Sequence, residues 1–310
     1  MTLQQCKYVL KIREVGTFSE AARQLFVAQS GLSNSVKSLE DELKIKIFER
    51  SKNGVVLTAD GAEFVCYAEQ MVAQAEFILD RYGSQSEKDR LYISTQHYDF
   101  IADIFCEFLN TCESSHYDIS LQEKMTYDVI HDVEMALSDI GIIAIKNRDK
   151  DIMMRYLQSK DIRFAELLKT PPHLFVHKNH PLSKNTSIAY DELQKYPYVC
   201  YNQGAYNDYS LFTEEMSNES INEKKIVISD RATLMNVLLK TDCYTIGTGI
   251  MPSNLNDGKI VGIPLVTDES YSVGYLLKRN RISTPTVDNF IKILDHCSNR
   301  LMAINKPVEE

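Results

Sequence analysis

From about residue 90 onward, short runs of β-branched and aromatic residues alternate with stretches whose apolar positions follow helical spacing. No other feature constrains the chain as strongly. Residues 91–95, 119–122 and 140–145 read as strands, with helices at about 99–112 and up to 137 between them. That order predicts α/β architecture with a largely parallel sheet. A second unit begins near 164 and carries strand-like runs at 173–177, 198–201, 225–228 and 244–247. After 260–265, the strand 272–277 and a final helix at about 286–301 return to the first unit. At 310 residues the length accommodates two or three packed units. The 44% hydrophobic and 25% charged fractions exclude a disordered, collagenous or disulfide-scaffold chain.

The longest apolar runs, such as Ile142-Ile143-Ala144-Ile145, are far too short for a membrane span. The first residues lack the basic-then-apolar order of a secretion signal. Seven cysteines with no Cys-x-x-Cys pair suit buried thiols in a reducing compartment, so a cytoplasmic protein without membrane contact is expected. The net charge of −9 is unevenly distributed. Residues 1–60 hold nine Lys or Arg against seven Asp or Glu, a net +2, which leaves −11 on the rest. Such a distribution suits a head that touches a polyanion and a body that avoids it.

In the head, Leu3, Tyr8, Val9, Ile12 and Val15 mark one face of a first helix ending near Gly16. A second helix follows, with Ser19 expected as N-cap, Phe18 as the preceding staple and Ala22 with Leu25 buried. The third, residues 29–43, places Leu32, Val36, Leu39 and Leu43 on one stripe. Its other face presents Gln29, Ser30, Ser33, Asn34 and Lys37, the chemistry of base-edge and phosphate contact, although an ordinary solvated face has the same composition. Downstream, Phe48-Glu49-Arg50-Ser51-Lys52-Asn53-Gly54-Val55-Val56-Leu57 reads as a basic turn between two extended runs, a wing suited to phosphates.

These residues resemble the LysR-type transcriptional regulators of bacteria. The resemblance is carried by Phe18-Ser19-Glu20-Ala21-Ala22-Arg23-Gln24-Leu25, Gln29 with Leu32-Ser33, Leu39-Glu40-Asp41-Glu42-Leu43, and Leu57-Thr58-Ala59-Asp60-Gly61 after Phe48-Glu49-Arg50. It implies a winged helix-turn-helix at 1–57, a linker and dimerisation helix with hinge at 58–88, and a two-lobed α/β effector-binding domain at 90–310. Lobe one would comprise about 90–162 and 266–310, and lobe two about 163–265. Ser19, Gln29, Ser30, Ser33, Asn34, Lys37, Arg50, Ser51 and Lys52 are then the expected contacts to a double-stranded DNA operator. Departures occur at Ser30-Gly31, where Pro-Ala is common, at Asn34, where Arg is frequent, and at Lys44, where Gly usually closes the recognition helix.

In the linker, Thr58 is a candidate cap, and Val65, Ala68, Val72, Ala75, Leu79 and Tyr82 form a heptad-like seam. That seam reads either as a dimer contact, with a homo-oligomer and most often a tetramer implied by the resemblance, or as one amphipathic helix packed on its own domain. In the body, ligands of open α/β sheets sit beyond strand carboxyl ends. The polar groups there are Ser94, Thr95 and Gln96, then Tyr201, Asn202 and Gly204, and Thr248. The expected ligand is a small polar or anionic metabolite. His173, His177 and His180 do not share a face in a strand, and Gly247-Thr248-Gly249 lacks the next glycine of a dinucleotide loop. No metal, cofactor or catalytic centre is therefore expected. The alternative from another class is a soluble solute-binding or enzymatic α/β protein whose helical head serves oligomerisation.

Overall fold

The computed structural model describes residues 1–51, 54–82, 89–204, 210–214, 224–250 and 258–304, with the side chains of 50–51, 80–82, 210 and 298–304 outside that description. It comprises two compact units, Met1–Ser86 and Glu87–Glu310. Among the described residues no helix is long and apolar enough to cross a membrane.

The first unit contains α1 (Leu3–Val15), α2 (Phe18–Gln24), α3 (Gln29–Leu43), a hairpin of β1 (Phe48–Ser51) and β2 (Gly54–Leu57), and α4 (Ala59–Tyr82). α1 opens on a capping box between Thr2 and Gln5 and stops at Gly16, whose φ of 76° suits glycine. α2 is capped by Thr17, whose Oγ1 accepts the Glu20 N–H at 3.2 Å, and Ser19 stands exposed in the first turn. This corrects the expected Ser19 cap: Thr17-Phe18-Ser19-Glu20 has the Thr-x-x-Glu spacing one frame earlier. Val9, Ile12, Ala21, Ala22, Leu32, Val36, Leu39 and Ile47 form the core, so the stripe read on the third helix is the buried one.

α3 ends with Lys44 at φ 58°, the left-handed conformation in a residue less suited to it than glycine. The turn is held from within by Glu40. Its carboxylate accepts the N–H groups of Ile47 at 2.8 Å and Phe48 at 3.2 Å and pairs with Lys46 at 2.8 Å. β1 and β2 pair antiparallel with Ser51 opposite Gly54. Gly54 has φ 134°, and a Cβ there would lie 2.3 Å from the Gly16 carbonyl oxygen, so only glycine permits this docking.

Thr58 caps α4 by accepting the Gly61 N–H at 2.9 Å. The helix returns along α1: Val65 joins the head core, and Ala68 and Val72 pack with Cys6 against Leu3, Leu10 and Phe64. Lys7–Glu76 and Arg13–Glu69 pairs flank this contact. Half of the expected dimer seam is thus interior to the unit, so head and linker helix are one folded body, not two segments divided at residue 57. The expected hinge at 83–88 lies outside the described residues.

In the second unit, β3 (Asp89–Thr95), α5 (Asp99–Leu109), β4 (Tyr117–Glu123), α6 (Thr126–Glu134), β5 (Ile140–Lys146), α7 (Lys150–Ser159) and β6 (Ile162–Thr170) lead to a five-stranded sheet. Its order is β4-β3-β5-β12-β6, with β12 (Tyr271–Lys278) supplied from near the end of the chain. β4, β3 and β5 run parallel, whereas β12 is antiparallel to both neighbours. One face packs Leu91, Ile93, Ile101, Ile104 and Phe108 with Phe290 and Leu294 of the last helix, α9 (Pro285–Ile304). The other packs Val129, Val133, Ile143, Met153 and Leu157. Because β6 pairs with β12 in this sheet, the segment 163–170 belongs to the first lobe, not the second as expected.

The second lobe is built from β7 (His173–His177), β8 (Tyr198–Tyr201), β9 (Lys225–Ile228), α8 (Arg231–Lys240), β10 (Thr245–Gly247) and β11 (Ile260–Pro264). The order β10-β7-β11 is antiparallel, and β8 pairs with β9 in parallel. The largely parallel character expected for the body therefore holds for β4, β3 and β5 of the first lobe and for the β8–β9 pair of the second.

Candidate functional site

Two regions carry polar chemistry, one in each unit. In the first, Gln29, Ser30, Asn34 and Lys37 are exposed and Ser33 is half-buried, on the side of α3 opposite Leu32, Val36 and Leu39. Five of the seven Lys and Arg whose side chains are described in this unit are neutralised locally: Lys7 by Glu76, Lys11 by Glu14, Arg13 by Glu69, Arg23 by Glu20 and Lys46 by Glu40. Lys37 has no such pair among the described residues. The backbone of Arg50 and Ser51 lies in β1, while their side chains and all of Lys52 lie outside the described residues. Phe26, at φ 56° and 95% exposed in the turn between α2 and α3, was not anticipated.

The second region is the cleft between the lobes of residues 87–310. Here the strand ends named from the sequence border the cleft, but several of their side chains do not face it. Ser94 is buried, donates to Asp132 and lies 2.7 Å from Ser138 Oγ, while Lys124 holds the same Asp132 at 2.7 Å. Gln96 is fully buried. Its Nε2 donates to Thr126 Oγ1, and its Oε1 accepts the Tyr98 hydroxyl and the Ala144 N–H, the latter at 2.8 Å. Thr95 Oγ1 is buried without a hydrogen-bond partner and lines neither cleft cavity. The Ser94 and Gln96 side chains are internal ties of the first lobe and Thr95 is buried on it, so none of the three lines a cleft cavity, in contrast to their expected effector contact.

The next residue, His97, faces the cleft. Its N–H donates to Glu214 Oε1 at 2.6 Å and its Nδ1 lies 2.9 Å from Glu214 Oε2. The ring stacks on Tyr201, centroids 4.0 Å apart and planes 13° from parallel. The His97 and Glu214 side chains are 8% and 7% exposed. Burial pulls the His97 pKa down, but the Glu214 carboxylate more than offsets this and leaves it above the usual value. Burial pushes the Tyr201 phenol up, reinforced by the charge of Glu214. Gln203 Oε1 holds the segment that carries Glu214 by accepting the Glu214 N–H at 3.0 Å.

A second ionic bridge crosses nearby. Arg231, at the start of α8, bonds Asp99 at 2.9 Å and places Nε 2.8 Å from Glu123 Oε1. A cavity of about 60 Å³ is lined by His97, Tyr98, Tyr201, Gln203, Glu214 and Thr248, among others, with room for little more than water. A second, of about 320 Å³, is lined by His97, Glu123, Lys124, Asp128, Asn202 and Ser229, among others, and has the size of a small metabolite site. His97 is common to both.

Of the residues expected here, Tyr201 and Thr248 line the smaller cavity and Asn202 the larger. Gly204 lines neither and closes a turn at φ 61° by donating its N–H to Asn202 Oδ1 at 2.9 Å. The residues missed are His97, Asp99, Glu123, Glu214 and Arg231. His97 was legible as the next residue after the chosen strand end, whereas Glu214 lies in a stretch without periodicity. Among the described residues no group of three or more His, Cys, Asp or Glu is arranged to hold a metal ion. His177 and His180 instead address Asp242, through its carboxylate and its carbonyl, each at 3.2 Å.

Residues 3–62 match the family described as bacterial regulatory helix-turn-helix protein, lysR family, and residues 100–298 match the LysR substrate binding domain. The chain belongs to the LysR family of transcriptional regulators. It is thus a DNA-binding regulator with an effector-binding domain. The regulator is 21% identical over 308 residues to the transcriptional regulator CzcR of Bacillus thuringiensis, covering 95% of this chain and 97% of that one. It is 23% identical over 205 residues to the uncharacterized regulator YvbU of Bacillus subtilis, where the match covers 64% of this chain and 65% of the relative, just under two thirds of its length. Among solved structures, CbnR complexed with its target DNA shares the fold at TM-score 0.62 and 16% identity, covering 96% of this chain and 100% of that one.

Proposed function

We propose that the regulator reads a duplex operator through the exposed side of α3 and that a small polar molecule, seated between the lobes of residues 87–310, biases this binding. The observation that carries the DNA reading is the coincidence of Gln29, Ser30, Ser33, Asn34 and Lys37 on one helix face, in a unit whose other cations are mostly paired. Amide and hydroxyl groups suit base edges, and the ammonium suits phosphate. Ser19 and the wing residues Arg50, Ser51 and Lys52 complete the proposed footprint on phosphates. CbnR, a fold relative solved in complex with its target DNA, supports the same use of the head.

Lys37→Ala is expected to weaken binding to all sequences and to reduce the salt slope by about one. Gln29→Ala is expected to relax base preference at one position, by about 1–3 kcal/mol for a bidentate contact. Footprinting both variants on the parent operator tests the assignment, and unchanged footprints would refute it.

The working form in this proposal is a cytoplasmic homo-oligomer, a dimer of dimers. Its helical contact differs from the seam read in the sequence. Tyr67, Met71 and Ile78, spaced by four and seven residues, and the adjacent Leu79 are 60%, 40%, 53% and 60% exposed on α4. Val65, Ala68 and Val72 are committed to α1 and Met71 borders that contact through Cys6, so Tyr67, Ile78 and Leu79 are the apolar surface left for a second copy.

A further inference from the structure

We propose that the carboxylate of Glu214 is a built-in ligand of the cleft and that the effector is a small molecule whose own carboxylate takes its place. The inference rests on reading residues 87–310 as the sensing unit.

Glu214 lies in sequence between two strands of the second lobe, β8 and β9, yet its segment is seated on the first. Phe212 packs edge-on against Tyr127 at 5.6 Å and Tyr156 at 5.2 Å, and Leu211 joins the same cluster over α6 and α7. Lys146 Nζ reaches Thr213 Oγ1 at 3.5 Å. At the end of this strap, one carboxylate takes both the backbone N–H and the ring nitrogen of His97. A main-chain N–H just past a parallel strand, joined by an imidazole, forms an anion cradle at the place where open α/β sheets hold ligands. The stack on Tyr201 keeps the imidazole in that orientation. The elevated pKa of His97 agrees with a position that favours an anion.

Charge decides how a second anion can enter. Arg231 is shared by Asp99 and Glu123, and Lys124 is held by Asp132. An anion added beside Glu214 would meet these carboxylates while both nearby cations are already committed to them. An anion that replaces Glu214 at His97 leaves the local charge unchanged. The larger cavity begins at the same His97 and continues past Asn202 and Ser229, so the body of such a ligand has a polar site of about 320 Å³. Exchange of the internal for the external carboxylate frees the strap from the first lobe, and the ligand then favours a different lobe arrangement by its difference in affinity for the two.

The test uses the full chain, acetate as the probe and thermal unfolding as the readout. In Glu214→Ala, acetate is expected to stabilise the protein with a half-effect concentration at least about tenfold lower than in the parent, because the cradle is vacant. Glu214→Gln, which refills the cradle with an amide, and Glu214→Ala with His97→Phe, which keeps the stack and removes the nitrogen, are both expected to lose this response. Equal acetate responses in the parent and Glu214→Ala, or none in Glu214→Ala, would overturn the proposal. Should Glu214→Ala not fold, the parent itself serves: in 15N-histidine-labelled protein, acetate is expected to shift the His97 Nδ1 resonance saturably where chloride at equal ionic strength does not, and identical responses to the two salts would overturn it. Operator binding is measured separately, so failure of the DNA reading and failure of this proposal are distinguishable.

Discussion

At the scale of single residues, the cleft depends on pairs that no local pattern announces. His97 faces Glu214 directly, with Glu123, Asp230 and Arg231 as the other charges acting on it and Tyr201 against its ring. Its pKa is raised in the folded protein. The contribution of the pair is therefore fully present below the unfolded histidine value, near 6.5, and is lost as pH rises through the folded value. The difference in melting temperature between the parent and Glu214→Gln should be largest near pH 6 and narrow toward alkaline pH. A difference that is constant or grows with pH would contradict an ionic His97–Glu214 contact. Glu40 acts in the opposite sense in the head. Burial raises its carboxyl, but Lys46 and the Ile47 and Phe48 N–H groups together bring it below the usual range, so its contribution is present above the unfolded value and lost as pH falls through the folded one.

At the scale of elements, α4 separates two kinds of apolar position on one helix. Val65, Ala68 and Val72 face α1, Met71 borders that contact with its Sδ 3.9 Å from Cys6 Sγ, and Tyr67 and Ile78 are more than half exposed. Charged replacement on the two sides should therefore have different outcomes. Tyr67→Glu with Ile78→Lys is expected to yield a folded chain of lower mass in sedimentation. Val72→Asp is expected to destabilise the head itself by several kcal/mol, because it buries an unpaired charge. Unchanged sedimentation of the first variant would refute the stripe as the contact between copies. The helices were legible because a 3.6-residue period and its caps are local properties of sequence: α3 begins and ends where its stripe does, and Gly16 and Thr58 act as read. Which of two interleaved stripes meets α1 is a tertiary fact, and both satisfy the same period. The strands show a similar limit. β6 is not among the strands expected from the sequence, and its membership of the first sheet depends on pairing with β12, more than 100 residues later. At the cleft, periodicity identified the strand ends, whereas Ser94 and Gln96, expected as ligand contacts, are occupied by internal hydrogen bonds, because a polar side chain at a strand end serves as readily to tie loops together.

At the scale of the whole molecule, two compact units divide the work of a LysR-family regulator: residues 3–62 match the DNA-binding helix-turn-helix and residues 100–298 the substrate-binding domain. The charge of the chain is uneven along it, with a net +2 on residues 1–60, which hold the helix-turn-helix, and −11 on the remainder, a distribution that suits approach to DNA through residues 1–60 alone. In the proposed footprint, affinity for phosphate comes from a few cations, and Lys37 has no carboxylate partner among the described residues. The most direct test is footprinting of the full chain on the DNA upstream of its own coding sequence, with binding measured over a range of salt. A protected region made of two half-sites is expected, with affinity that falls linearly with the logarithm of salt concentration and a slope reduced by about one in Lys37→Ala. No protected region, or protection with a salt slope that Lys37→Ala leaves unchanged, would contradict a DNA-reading head of this design.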